Sequence, residues 1–421
     1  MELKGTPFQI GKKIGLHSKS IISRRIRQIN EIERIKKIPP RIVNARIRDF
    51  TSLIGRVSPH WLEEMKGESV AAGVDTGRLI FLNCLPDGFY SELPPGFFID
   101  TYQNCSSFVD VGSEKNILFK IRDEKNFPQS FSVLQNSGFL SAHAGRDIGN
   151  IGFAHFFNEK ALAGANNTGS FTKHATDKPL FNDCHVMRYI AERAVSIKDI
   201  PSLVERLLEQ KALGGANGER GALFLFADCE GGLLVECDSR DYAARFISKG
   251  RRVISNHYVT AKAKKWESAA PNRNTLARRE RLGYLLSRNA GNLSPESLFR
   301  FSRDKKNEPD SLCRDNMDNI MITVSVQCQV ISREKPSDSL NYICCGNPLH
   351  SVFIPVPVTH VRTYIPMLDG SFWKSSRKEC GGKLCWKEFS AEMEKFEKRA
   401  VQSENISCLF DEAYGLFKKA A

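Results

Sequence analysis

Cys105, in Asn104-Cys105-Ser106-Ser107-Phe108, follows a run rich in breakers (Pro86, Gly88, Pro94, Pro95, Gly96) and stands at the entrance to strand patterning. A cysteine there has two readings. It is a small buried hydrophobe, the common fate of the residue type, or a thiol that attacks a carbonyl once a base has taken its proton. Arg278 and Arg281 are three apart and share a helix face, suited to pairing with acidic side chains or with an anionic substrate. Cys380 and Cys385 lack the second pair that a zinc site needs.

The elements that must position these residues change character along the chain. Ile21, Ile22, Ile26, Ile29 and Ile32 recur at helical steps until Pro39-Pro40 interrupts, and Ile42, Ile47, Phe50, Leu53 and Ile54 resume the pattern. Ser58 before Pro59 caps a third helix containing Trp61, Leu62 and Met65. From Phe97 the pattern predicts short strands: 97–102, 106–111, 116–121, 138–144, 151–157 and 161–165. Helices follow over 186–195 and 200–210. A hairpin closes around Glu230-Gly231-Gly232, and a strand covers 252–258. Helices at 275–303, strands at 319–332 and 340–345, and an amphipathic tail over 386–419 complete the chain. Strand blocks and helix pairs without a βαβ beat predict an α+β layered fold.

Composition narrows the function classes. With 41 % apolar and 26 % charged residues in 421, the chain is globular and long enough to need no staples. Twelve cysteines behind an N-terminus with no signal-peptide pattern predict reduced thiols and a cytoplasmic protein. No apolar stretch reaches the ~18 residues of a membrane span. The net charge of +13 is uneven, with +9 in residues 1–50, +10 in 251–306 and −6 elsewhere. Such stretches attract nucleic acid, lipid or small anions, but read first as solvated helix faces. No nucleic-acid-binding motif accompanies them, so no specific nucleic-acid partner is expected.

Several separated motifs together resemble the cysteine N-terminal-nucleophile hydrolases of the acyl-coenzyme A:6-aminopenicillanate acyltransferase family, which is related to the choloylglycine hydrolases. They are Gly5-Thr6-Pro7-Phe8 with Ile10-Gly11, Cys105-Ser106-Ser107, Arg122-Asp123, Asn158-Glu159-Lys160-Ala161-Leu162-Ala163 with Asn166-Asn167, and Ser255-Asn256-His257-Tyr258. Asn274–Leu282 with Arg278 and Arg281, Ser311-Leu312-Cys313-Arg314 with Thr323-Val324-Ser325, and Gly346-Asn347-Pro348 extend the resemblance to about residue 350. Four positions depart from it: Asn104 and Ala161 stand where glycine is usual, Lys120 where the choloylglycine hydrolases carry arginine, and Ile121 where an asparagine is common.

The resemblance implies that the Asn104–Cys105 bond cleaves itself and leaves Cys105 as an N-terminal nucleophile whose own α-amine is the base. It implies that Asp123 orients that amine and that Asn256 donates to the oxyanion, with Asn166, Ser106, Arg122 and Arg278 as supporting or substrate-binding residues. His257 invites a cysteine–histidine pair instead. Strand alternation sends neighbours to opposite faces, which favours Asn256 at the site and His257 in a structural role.

The fold so implied is a four-layer αββα sandwich with two antiparallel sheets. Residues 1–104 form a helical segment that stays bound after cleavage, 105–350 the catalytic segment, and 351–421 an extension with final strands and a helical tail. The expected activity is hydrolysis of a small N-acyl or N-aminoacyl amide through an acyl-enzyme, with no cofactor and no metal. The alternatives are an N-acyltransferase taking its acyl group from a coenzyme A thioester, and a non-catalytic binding protein on the same fold. The partner is then a small amide or acyl thioester, and a homo-oligomer is compatible with the sequence.

Overall fold

A computed structural model of the chain describes residues 1–85, 105–125, 128–289, 291, 293–315, 321–378, 386–403 and 406–420. Asn104, the breaker-rich run, the predicted strand 97–102 and Cys380–Cys385 lie outside the described residues.

A short strand β1 (Leu3–Gly5) precedes four helices, α1 (Pro7–Lys36), α2 (Pro40–Val57), α3 (His60–Ala72) and α4 (Thr76–Asn83). Thr6 starts α1 with a capping box. Its hydroxyl accepts from the Gln9 backbone N–H, its own N–H donates to the Gln9 side chain, and Pro7 supplies a pre-set first turn. The isoleucine stripe of α1 is buried as its period predicts. Gly11 and Gly15 let α1 lie directly on α3, since a Cβ at Gly11 would sit 2.0 Å from the Glu64 carbonyl oxygen and one at Gly15 2.2 Å from that of Glu68.

The strands follow as β2 (Ser106–Val111), β3 (Lys115–Lys125), β4 (Gln129–Asn136), β5 (Ala142–Asp147), β6 (His155–Asn158) and β7 (Ala163–Phe171). After α5 (Asp183–Ala191) and α6 (Ile200–Glu209) come β8 (Arg220–Ala227), β9 (Gly232–Cys237), β10 (Tyr242–Ile247) and β11 (Gly250–Ile254). Helices α7 (Ala261–Lys264), α8 (Arg273–Arg288) and α9 (Pro295–Ser302) lead to β12 (Met321–Ser332), β13 (Leu340–Cys345) and β14 (Ile354–Pro357). The chain closes with α10 (Ile365–Leu368), α11 (Ser371–Lys378), α12 (Trp386–Gln402) and α13 (Ile406–Ala420).

Among the described residues these strands build two sheets, an eight-stranded one in the order β1-β4-β5-β6-β7-β8-β9-β10 and a six-stranded one in the order β11-β2-β3-β12-β13-β14. All pairings are antiparallel except β1 with β4, which is parallel. Alternation along each strand sorts the side chains into layers. Val109, Val111 and Leu118 of the smaller sheet meet Phe157, Ala163, Leu223 and Leu225 of the larger one between the sheets. The outer face of the larger sheet, through Leu134, Phe156, Phe224 and Val235, packs on α1–α6. The outer face of the smaller sheet, through Phe108, Ile117 and Phe119, packs on α8 and α9. The α+β fold is therefore the expected four-layer αββα sandwich.

Three strands have no counterpart in the sequence expectation, β1, β4 and β10, and the predicted strand 138–144 begins at Ala142 instead. The predicted strand 252–258 ends at Ile254, and Ser255–Tyr258 turn away from the sheet. No helix of the described residues is long and apolar enough to cross a membrane.

Candidate active site

Arg278 is the hub of the site. The Asn272 side chain caps α8 by accepting from the Thr275 N–H, and Thr275 in turn ties the Ser255–His257 bend to the helix. Its hydroxyl accepts from the Asn256 N–H at 2.7 Å and donates to Ser255 Oγ at 2.8 Å. One turn further on, the fully buried guanidinium of Arg278 donates to Cys105 O at 2.6 Å, Ser106 Oγ at 2.8 Å and Asn256 Oδ1 at 2.7 Å. Its Nε donates to Asn274 Oδ1 at 2.9 Å. Burial lowers the Arg278 pKa to about 10 against the pull of Asp123, which leaves it charged at neutral pH.

Asn256 spends one amide hydrogen on the Thr168 carbonyl of β7 at 2.8 Å, which fixes the amide orientation and joins the bend to the larger sheet. His257 turns elsewhere. Its Nδ1 lies 3.1 Å from Ser255 Oγ and 3.2 Å from Thr275 Oγ1, and its Nε2 lies 3.5 Å from an Arg279 nitrogen. Burial and then the charges of Arg279, Lys264 and Arg278 push its pKa down to about 4, so the ring is neutral near pH 7. The two side chains take different partners, and a bend separates them where strand alternation was expected to.

Asp123 lies on β3 opposite Thr323 of β12, beside a register shift between Thr323 and Ser325. Thr323 Oγ1 donates to its Oδ1 at 2.7 Å, and Arg314 Nε approaches Oδ2 at 3.4 Å. That Oδ2 is buried with no hydrogen bond among the described residues. Burial raises the Asp123 pKa, opposed by Arg314, Arg278 and the Thr323 hydroxyl. The register pairs Ser106 with Ile121, so the backbone just before β2 runs toward the Arg122–Asp123 end of β3.

Arg122 and Asn166 belong to a second polar group, between the sheets. Arg122 grips Asp147 of the larger sheet with two bonds, 2.9 and 3.1 Å, and also donates to Gln129. Asn166 receives the buried Lys120 ammonium on its carbonyl oxygen and on Oδ1, and its amide lies 3.5 Å from Cys184 Sγ. Nearby, burial raises Asp183 to about 6. Ser107 Oγ donates to Asn167 Oδ1 at 2.7 Å, and Asn167 donates to Ser255 O at 3.0 Å, stitching β2, β7 and the bend together.

Of the residues singled out in the sequence, the structure joins Cys105, Ser106, Asn256 and Arg278 directly and sets the Asp123 charge near Arg278. It places Arg122 and Asn166 in inter-sheet contacts. Sequence reasoning gave no role to Thr275, Arg314 or Thr323, because each acts through pairing across the fold that no local period reveals. Arg281 forms a two-bond ion pair with Asp304. Among the described residues, no group of three or more His, Cys, Asp or Glu side chains is arranged to hold a metal ion.

No protein family matches the chain, and no curated protein matches it. Solved structures do. A variant of conjugated bile acid hydrolase from Clostridium perfringens overlays with a TM-score of 0.42 at 9 % identity, covering 62 % of this chain and 96 % of its own. A Caenorhabditis elegans ortholog of N-acylethanolamine-hydrolyzing acid amidase overlays with a TM-score of 0.36 at 11 % identity, covering 55 % of this chain and 94 % of its own.

Proposed function

We propose that the chain is a cysteine amidohydrolase of the N-terminal-nucleophile type, activated by cleavage of its own Asn104–Cys105 bond. The observation that carries this reading is the buried Asp123 Oδ2, which lacks a hydrogen bond among the described residues and lies near the charge of Arg278, whose guanidinium holds the Cys105 carbonyl. Its contact there is the Arg314 guanidinium at 3.4 Å, an ion pair whose geometry makes no hydrogen bond, and a new α-ammonium or amine on Cys105 would supply the hydrogen bond that the oxygen lacks.

The steps balance without a cofactor or a metal. The Cys105 thiol attacks the Asn104 carbonyl carbon, the C–N bond breaks, and the proton passes to the departing nitrogen. Water then opens the thioester, giving a carboxylate on Asn104 and a free amine on Cys105. In turnover that amine takes the thiol proton, sulfur adds to the substrate amide carbonyl, and the protonated leaving amine departs. A second water releases the acid. The remaining amide hydrogen of Asn256, held in place through Thr168 and Arg278, serves the tetrahedral oxyanion. A cytoplasmic setting suits a thiol that must stay reduced.

Hydrolysis is preferred to acyl transfer because water is always present, whereas acyl transfer demands a built acceptor site. Intact mass under denaturing conditions, with N-terminal sequencing of any smaller chain, tests the reading. Chains 1–104 and 105–421, the second beginning Cys-Ser-Ser and hydrolysing amides, are expected. A single uncut chain that no acylating thiol probe labels would move the non-catalytic binding role to the front, and strict dependence on an added acceptor amine would establish the acyltransferase.

A further inference from the structure

β10 is the last strand of the larger sheet and β11 the first of the smaller one, so the chain crosses between sheets at the turn after Ile247. Their inner faces meet at the open end of the sandwich. Arg245 of β10 pairs in register with Leu234, and Arg252 of β11 pairs with Val109. Leu234 and Val109 both belong to the inter-sheet core, and directly paired residues share a face, so both arginines point into the seam between the sheets. Arg279 reaches the same strand from α8, with its Nε 3.4 Å from Val253 O on the free edge of β11.

The acidic groups nearby are committed. Glu236 accepts from the Val259 and Thr260 N–H groups at 2.6 and 3.0 Å, and Asp241 pairs with Lys262 at 2.8 Å. Among the described residues, neither Arg245 nor Arg252 has a carboxylate partner, and the Arg252 Nε is buried without a hydrogen bond. Partial burial lowers the Arg252 pKa, and the charges of Arg245 and Arg279 lower it further. An open cleft of about 640 Å³ lies alongside, walled by Tyr242–Arg245 and Val259–Lys262.

We propose that this seam is an anion site for a soluble phosphate-bearing ligand, held by Arg245, Arg252 and Arg279. Guanidinium forks match phosphate oxygens in pairs, and a phosphate offers an oxygen to each of three forks where a carboxylate has only two. The cleft beside Arg245, walled by β10 and the Val259–Lys262 segment, is concave and suits a small soluble ligand better than a membrane surface. The site is independent of Cys105 chemistry and would persist in a Cys105→Ala chain.

Calorimetric titration of the full chain with inorganic phosphate and with pyrophosphate, at 20 and 200 mM salt, tests it. Pyrophosphate is expected to bind more tightly than phosphate, to weaken at least tenfold at the higher salt, and to weaken at least tenfold in Arg245→Ser/Arg252→Ser. Because these arginines repel each other, the ligand-free double variant is expected to melt no lower than the natural chain, which also shows that it folds. Pyrophosphate affinity unchanged in the double variant, absence of binding at millimolar concentration, or binding only to vesicles of anionic lipid would overturn the proposal.

Discussion

Glu64 on α3 and Arg188 on α5 share a two-pronged ion pair, one bond of 3.0 Å, where neither side chain has any exposed surface. Burial would raise the Glu64 pKa, but Arg188 and then Arg146 outweigh it and hold the carboxyl below its ordinary range. Arg188 also donates to Glu192, which receives the Trp61 indole N–H and bonds His60. This network fastens the helical layer to the larger sheet. Arg188→Met is expected to cost about 3–5 kcal/mol in urea unfolding, because it strands Glu64 and Glu192 as buried charges. Replacing the Glu64–Arg188 pair together by Leu and Met is expected to cost far less than either single change.

Glu68, one turn further along α3, has the opposite problem. Burial lifts its carboxyl pKa from 4.5 to about 7 in spite of Arg146. Between those values the unfolded chain has lost a proton that the folded one keeps, so this group makes stability fall as pH rises from about 4.5 to about 7. Glu68→Gln is expected to raise the melting temperature at pH 8, by up to about 3 kcal/mol of stability, and to leave it nearly unchanged at pH 4.5. Equal shifts at both pH values would show that the carboxyl does not carry this dependence.

Two glycines of the helical layer predict opposite signs for one substitution. Gly11→Ala drives a methyl group to 2.0 Å from the backbone oxygen of Glu64, which cannot move aside, and is expected to cost about 3 kcal/mol or more. Gly55 on α2 has only Leu62 Cδ1, at 3.8 Å, near the same position. Gly55→Ala is expected to stabilise by about 0.5–1 kcal/mol through helix propensity. Thermal melts of the two variants beside the natural chain decide both.

At the site, Cys105→Ala is expected to abolish both self-cleavage and turnover, whereas Cys313→Ala, which removes a thiol bonded only weakly to Asn347 Oδ1 at 3.5 Å, leaves both intact. Retained amide turnover in Cys105→Ala would remove the nucleophile assignment. Asn256→Ala is expected to lower turnover by about 10² to 10³. Because Asn256 also accepts from Arg278 and donates to Thr168, the same variant is expected to lose about 1–3 kcal/mol of stability. A variant that is unstable yet fully active would separate the two roles and remove the oxyanion one.

What the sequence made legible follows from the range of each interaction. The α1 isoleucines and the Gly231-Gly232 hairpin depend on neighbours a few residues away, and their patterns survive translation into structure. β4 escapes such reading because its polar side chains are buried too. Gln129 bonds Asp147, and Ser130 bonds the Arg146 carbonyl, so Gln-Ser-Phe-Ser-Val shows no dry face. β10 escapes for the opposite reason, being an exposed edge. Cys105, Asp123, Asn256 and Arg278 were named through motif resemblance. Their mutual distances come from the β2–β3 register and from the Thr275 tie between α8 and the bend, neither of which has a local signature.

The parallel pairing of β1 with β4 carries a consequence for synthesis. Leu3 lies against Leu134, and the isoleucine stripe of α1 packs with α3, α4, β4 and, late in the chain, α10 in one buried cluster. A ribosome adding about 5–20 residues per second needs roughly five to twenty seconds to pass from the end of α1 to the end of β4, and the stripe is exposed for at least that time. The nascent helical layer is thus an expected client of chaperones that shield apolar helices, and slowing translation after α4 would lengthen that dependence.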